Sequence, residues 1–342
     1  MLPRPFPVFR SVLLAEALVE HVLSLYALGD SLTCYLYSRA INDVYMVHAS
    51  LGRWVLRVTA ANGPTQAAVQ GEIDMLRHLE QGGIAVAAPV ARRDGAYLTV
   101  LPAPEGERVA VLFPFVEQSP AHDVTPEQAR RYGVTLAHMH RAADTYPIPI
   151  HRPTHDYHYF VEEPLARLAS FAAFAGHTAE LAYLQAAAVS LWDQATRLPD
   201  TAPCYGFCHG DAKNDNALYG GAGEVTLIDF DCCGMGWRVY DLATYIWVQI
   251  VNGPELDWSK QAVFRALLDG YESIRPLSAA EYAALPVFAA LRQLFLFGGA
   301  IKHAPAFGVA PMTGDWLARM VVFIRACQDG RWLARVGLAR FG

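Results

Sequence analysis

The sequence changes period part-way along its length, and this restricts the fold more than any other feature. Runs rich in Val, Tyr and Leu occupy residues 32–37, 43–49 and 53–59, separated by the turn-like stretches SRAIN and SLG, which predicts an antiparallel meander. Further strands are expected over 84–90, 96–101 and 108–115. From residue 125 onward the apolar positions recur at helical spacing, over 125–143, 158–174, 178–197, 257–273, 279–300 and 314–336. The first of these opens with Thr125 as N-cap and Pro126 at the first helical position. Two helices precede the switch: one over 11–28, closed by Gly29, and one over 65–79 after Gly63-Pro64. The polar, proline-containing stretch 116–128 reads as a hinge. The expected class is therefore α+β: a small antiparallel-sheet lobe over residues 1–116, then a larger, mainly helical lobe over 117–342.

With 342 residues, 53% hydrophobic and 18% charged, the chain can bury a core in each lobe. Its net charge of -6 and its lack of Lys/Arg runs exclude the electrostatic footprint of a nucleic-acid or anionic-membrane binder. Prolines and the acids Glu16 and Glu20 interrupt the N-terminal apolar run, so no signal peptide is expected. Arg292 and Gln293 interrupt the apolar tract 283–301, so no membrane span is expected. The expectation is a soluble cytoplasmic protein with no membrane partner. Cys204, Cys208, Cys232 and Cys233 crowd one region, but adjacent cysteines in an extended chain point apart, and the set reads as small buried hydrophobes rather than as a zinc site.

The chemistry concentrates between Tyr205 and Trp247. Asp211 and Asn216 lie in a polar loop with Lys213, Asn214 and Asp215, and Val225–Asp229 reads as a buried strand ending in an acid. An acid presented at a strand end to a loop bearing another acid and an amide makes a site for one or two hard cations, which prefer oxygen ligands. Phosphoryl transfer needs such a site: metal to neutralise phosphate charge, and a carboxylate to orient and deprotonate the attacking hydroxyl. In the first lobe, Glu72 falls beside the apolar stripe of its helix and requires a partner, for which Arg57 on the preceding strand is the nearest candidate.

The pattern H-G-D-x-x-x-x-N followed by an apolar strand ending I-D-F resembles the signature of aminoglycoside phosphotransferases, choline and ethanolamine kinases and homoserine kinases. It is similar also to the H-R-D-x-x-x-x-N and D-F-G of protein kinases. The resemblance implies a bilobal protein-kinase-like fold with Asp211 as catalytic base, Asn216 and Asp229 as magnesium ligands, and His209 as a support for the loop. It implies ATP as phosphoryl donor, GTP not being excluded, and Mg2+. Arg57 stands where the family has a phosphate-binding lysine or arginine, Glu72 where it has a helix-borne glutamate, and the segment with Phe113, Phe115 and Val116 where it has its adenine-contacting linker. The first hairpin, around Ala40 to Asn42, takes the place of a glycine-rich phosphate loop. Asp241 either caps the helix it opens or, as the resemblance implies, accepts from backbone N–H groups of the catalytic loop. Asp231 and Asp215 face substrate or metal, or are solvated.

Gly210 replaces the arginine that in many protein kinases grips a phosphorylated loop, and only residues 230–240 separate Asp229 from Asp241. A protein substrate is therefore not expected. The leading reading is an ATP- and Mg-dependent O-phosphotransferase acting on a small hydroxylated molecule, such as an amino alcohol, homoserine-like or aminoglycoside-like acceptor, with its site in the cleft between lobes. The alternative is a nucleotide-binding pseudokinase. Oligomeric state is not legible.

Overall fold

A computed structural model describes residues 6–120, 123–147, 149–221, 223–251 and 255–338. The chain divides into two compact units, Met1–Glu117 with Pro149–Arg152, and Gln118–Ile148 with Pro153–Gly342.

The first unit is built on five antiparallel strands. A short helix α1 (Ala15–His21) leads into β1 (Thr33–Arg39), β2 (Asp43–Ala49) and β3 (Gly52–Val58). Helix α2 (Gln66–Gln81) follows, and then β4 (Leu98–Ala103) and β5 (Gly106–Pro114), with sheet order β1-β2-β3-β5-β4. Alternation gives the sheet two apolar faces. Tyr45, Val47, Leu56, Val58, Ala110 and Leu112 pack against Leu18, Val22, Leu23 and Tyr26 of the leading segment. Val109, Val111 and Leu98 pack against Val69 and Ile73 of α2 on the other side. Each Val, Leu or Ile among them, fully buried, is worth ~1.5–3 kcal/mol. Arg57 pairs with Val111 in the β3–β5 register and so shares the α2 face.

The sequence overestimates two elements here. The leading helix is only α1 plus a short 3-10 turn at Leu23–Leu25, because residues 11–13 are claimed by the sheet: the Ser11 N–H donates to Glu105 and the Tyr45 hydroxyl to the Leu13 carbonyl. Residues 84–90 form no strand. Pro89 has no N–H for a ladder, and the stretch makes isolated bonds such as Val90 N–H to Leu112 O.

The second unit is mainly helical. Its helices are α3 (Pro126–Ala143), α4 (Glu163–Ser170), α5 (Thr178–Ala195), α6 (Val239–Val251), α7 (Gln261–Glu272), α8 (Ala279–Phe307), α9 (Gly314–Gln328) and α10 (Trp332–Arg335). Its short strands are β6 (Ser119–Pro120), β7 (Tyr205–Cys208), β8 (Ala217–Tyr219), β9 (Val225–Leu227) and β10 (Gly234–Trp237), pairing as β10-β7 and β6-β8-β9. The predicted capping at Thr125 is present, with Gln128 completing a capping box. Three helices differ from the periodicity. Residues 158–174 begin with a π-type turn at His158–Glu162 before α4. Residues 314–336 break after α9, where Gly330 has a φ of +71°. The helix expected over 279–300 continues to Phe307 as α8. Helix α8 is long and apolar enough to cross a membrane, but 67% of its most apolar window is buried within the protein, so it reads as a core helix. Its residues Leu285, Phe288, Leu291 and Leu294 are fully buried.

Candidate active site

The loop between β7 and β8 carries the H-G-D-x-x-x-x-N residues, and its shape is set by hydrogen bonds to its own backbone. Asn216 donates from its amide nitrogen both to the Asp211 main-chain carbonyl (2.9 Å) and to the Asp211 Oδ2 (2.8 Å). That leaves the Asn216 side-chain carbonyl as an acceptor. His209 is fully buried, its ring tilted against that of Phe230 with the centroids 4.2 Å apart. Its Nε2 lies 3.0 Å from the Ile228 carbonyl, and its Nδ1 accepts the Asp211 N–H at 3.3 Å, which assigns the Nε2–H tautomer. Burial lowers the His209 pKa despite nearby Asp241 and Asp211, so the ring is neutral at physiological pH. His209 thereby ties the loop to the residue before Asp229. The Ile228 N–H donating to the Asn216 carbonyl at 3.0 Å is a second tie.

Asp229 follows β9 with a φ of +61°. A non-glycine residue in the left-handed region costs of order 1 kcal/mol or more and marks a backbone held for a purpose. Its side chain is exposed, as is that of Asp215, and Asp231 is half-buried. Gly210 has a φ of +80°, and a Cβ there would lie 2.0 Å from the Cys232 carbonyl. The turn thus demands glycine for steric reasons local to this loop.

Below the loop, Asp241 sits inside α6 rather than capping it. It is fully buried and accepts the His209 N–H at 2.7 Å and the Gly210 N–H at 2.9 Å. Burial pushes the carboxyl pKa up, but the hydrogen bonds from His140 and from the loop N–H groups outweigh it, and the net shift is downward. His140, on α3, places Nε2 3.0 Å from Asp241 Oδ2 and Nδ1 2.7 Å from the Tyr271 hydroxyl. Its pKa is pushed down to about 4, chiefly by burial. Neutral His140 therefore donates to Asp241 and accepts from Tyr271, and the sequence alone signalled neither partner.

Asp211 is buried and yet ionised. Burial raises its pKa, but the charges of Arg292 and Lys213 outweigh it, and the net shift is downward. Lys213 Nζ lies 3.1 Å from Oδ2 and is part-exposed; Arg292, on α8, pairs with Oδ1 and is almost wholly buried. A carboxylate kept ionised in a desolvated loop can accept a proton from a bound hydroxyl.

In the first unit, Arg57 Nη2 pairs with Glu72 Oε2 at 2.8 Å, both buried, and the Arg57 guanidinium lies 5.0 Å from the Phe113 ring. Arg152, from the segment 149–152, adds a second, longer pairing to Glu72 at 3.9 Å. That segment passes so close to α2 that a Cβ on Gly71 would meet the His151 carbonyl at 2.8 Å. Beside Arg57, a hollow of about 360 Å³ is lined by Tyr37, Val44, Met46, Val55 and Phe115. Val44 pairs with Arg57 across β2–β3, so both share that face.

Two expectations for the nucleotide contacts meet competing bonds. The Ala40 N–H donates to the Asn42 carbonyl at 3.0 Å and closes the β1–β2 turn, and Asn42 itself is buried. The Phe115 N–H donates to the Arg53 carbonyl at 3.1 Å, while the Arg53 guanidinium covers the Phe115 ring at 4.2 Å. Val116 is half-buried at the end of this unit. Among the described residues no group of three or more His, Cys, Asp or Glu side chains could hold a metal ion. None of the six cysteines forms a disulfide, and Cys204, Cys208 and Cys233 are buried while Cys232 is half-buried.

Comparison with known proteins gives a consistent result. The model of the family described as "Phosphotransferase enzyme family" matches residues 36–277. A homoserine kinase of Neisseria meningitidis serogroup B is 32% identical over 270 residues, covering 77% of this chain and 81% of its own. A solved amicoumacin kinase, in complex with AMP-PNP, Ca2+ and Ami, superposes with a TM-score of 0.75 at 22% identity, over 92% of this chain and 93% of that one. A microcompartment-associated aminopropanol kinase gives 0.72 at 22% identity, over 94% and 99%. These two likenesses establish a shared fold.

Proposed function

Given that the chain belongs to the phosphotransferase enzyme family, we propose that it transfers the γ-phosphoryl group of ATP to the hydroxyl of a small amine-bearing molecule, with Asp211 as base. The observation that carries this reading is the state of Asp211: buried, ionised, and held by Asn216 in a loop tied to Ile228, the residue before the strand-end acid Asp229.

Asp211 orients the acceptor hydroxyl and takes its proton as the hydroxyl oxygen bonds to the γ-phosphorus. The bond from that phosphorus to the β,γ-bridging oxygen breaks, and ADP leaves. The donor set suits Mg2+: an exposed carboxylate on Asp229 and the amide oxygen of Asn216, whose nitrogen is spent on Asp211. A small number of protein oxygen ligands suits a cation that keeps waters and phosphate oxygens. When bound, magnesium neutralises the phosphate oxygens. His209 and Asp241 hold the loop. On the first unit, Arg57, fixed by Glu72, binds phosphate as a rigid fork. The hollow beside it, with Val44, Val55 and Phe115, takes the base of the nucleotide, with Phe113 and Val116 at its margin. The β1–β2 turn at Asn42 is left a minor part in phosphate binding.

The acceptor class rests on charge and on the relatives. Asp215 lies exposed in the loop and Asp231 follows Asp229 by two residues, and acids so placed suit an ammonium group. The relatives' names, homoserine kinase and aminopropanol kinase, are amino-alcohol activities. The test is mass-spectrometric detection of phosphorylated product from a panel of L-homoserine, 1-aminopropan-2-ol, choline and aminoglycosides, with MgATP or MgGTP. A product from at least one amine-bearing alcohol is expected. Transfer to none of them, by a protein that binds MgATP, contradicts the acceptor class.

A further inference from the structure

The sequence offers Arg292 only as an interruption in an apolar helix. In the structure it grips the catalytic loop. From the middle of α8 its Nη1 donates to the Gly210 carbonyl at 2.9 Å and lies 3.0 Å from the Tyr240 hydroxyl, while its Nη2 pairs with Asp211 Oδ1. The guanidinium is almost wholly buried and rests near the rings of Trp247 (5.6 Å) and Phe295 (5.5 Å). The indole N–H of Trp247 donates in turn to Gln293, the next residue of α8, at 2.6 Å.

Burying a guanidinium in an apolar helix is costly unless its charge is paired and its N–H groups are used. Here one planar fork takes hold of both the carbonyl before the base and the base's own carboxylate. Gly210 is held from the opposite side by Asp241 through its N–H, so its peptide flanks are fixed by two charged groups on α6 and α8. Oδ1 is then committed to Arg292. Oδ2 carries Asn216 and the part-exposed Lys213, and Lys213 is the one of these partners that solvent reaches readily. Oδ1 faces the buried guanidinium and Oδ2 the part-exposed Lys213, so Oδ2, once Lys213 swings out toward solvent, is the oxygen that can serve an incoming hydroxyl.

We propose that Arg292 is a positioning residue for phosphoryl transfer: its fork fixes the rotamer of Asp211 so that Oδ2 faces the acceptor. The inference rests on Asp211 being the base. It differs from simple packing, because a packing residue would act whether or not residue 211 were a carboxylate.

The experiment is a double-mutant cycle with Arg292→Met, Arg292→Lys and Asp211→Asn. Turnover is measured with MgATP and L-homoserine or 1-aminopropan-2-ol, and as phosphate release to water if neither is phosphorylated. Arg292→Met is expected to lower kcat by about 10²–10³-fold, with KM for MgATP changed less than about threefold. Arg292→Lys, which keeps the charge without the fork, should recover about a tenth of the wild-type rate. In the Asp211→Asn background the Arg292 substitutions should cost less than about threefold. Equal factors in both backgrounds would overturn the proposal, as would wild-type kcat in Arg292→Met. Should the Met variant not fold, the Arg292→Lys cycle decides by the same criterion. Wild-type turnover in Asp211→Asn alone would instead overturn the base assignment, which separates the two failures.

Discussion

Asp241 accepts the backbone N–H of His209 at 2.7 Å with the same oxygen, Oδ2, that His140 faces at 3.0 Å. The second oxygen takes the Gly210 N–H at 2.9 Å. An acceptor on both sides is required, and Asp241→Asn supplies a donor on one of them. It should destabilise the protein by about 2–4 kcal/mol, the cost of unpairing a buried charged hydrogen bond. Turnover should fall with stability, and thermal melting beside a kcat determination checks both.

His140 makes stability depend on pH. Its pKa is pushed down to about 4 in the fold from an ordinary 6.5, so below pH 6.5 the unfolded chain binds a proton that the folded chain refuses. Stability is therefore fully present above about pH 6.5 and is lost as pH falls toward 4, by on the order of 3 kcal/mol. Buried His209 shifts in the same direction and adds to the effect. His140→Gln should flatten the slope of melting temperature between pH 4 and 6.5. An unchanged slope would remove His140 as its source.

Arg57 and Glu72 form a pair in which each buried charge depends on the other. Arg57→Ala should raise KM for ATP about tenfold or more and destabilise the first unit, because among the described residues it leaves Glu72 with the longer pairing to Arg152. Arg57→Lys should bind nucleotide but lose the planar fork. Nucleotide titration by fluorescence or calorimetry distinguishes these variants from one that is merely unstable.

Gly210 cannot accept a side chain. Alanine there meets both a left-handed φ and the Cys232 carbonyl at 2.0 Å. Gly210→Ala should lower stability by more than about 1–2 kcal/mol and displace Asp211, measurable as a drop in melting temperature and in turnover together. Retention of both would mean the turn relaxes freely.

What was legible in the sequence was local. Runs rich in Val, Tyr and Leu between turn-like stretches announced β1 to β3, and the acids and amide between His209 and Asp229 stood out by their spacing and by the family signature they resemble. Glu72 beside an apolar stripe correctly asked for Arg57. The illegible parts are long-range. His140 meets Asp241 across 101 positions and Arg292 meets Asp211 across 81, and no periodicity records such pairings. One signal was available: a charged residue inside the apolar run of α8 needed a buried counter-charge, and the motif held several acids. Residues 11–13 and 84–90 were misread because tertiary hydrogen bonds and Pro89 outweigh local pattern.

The account depends most on Asp211 acting as base. The direct measurement is Asp211→Asn, assayed for MgATP binding and for phosphoryl transfer on the same preparation. ATP affinity within about threefold of wild type with transfer reduced about 10²–10⁴-fold is the predicted result. Transfer at the wild-type rate, with ATP affinity likewise unchanged, would contradict it.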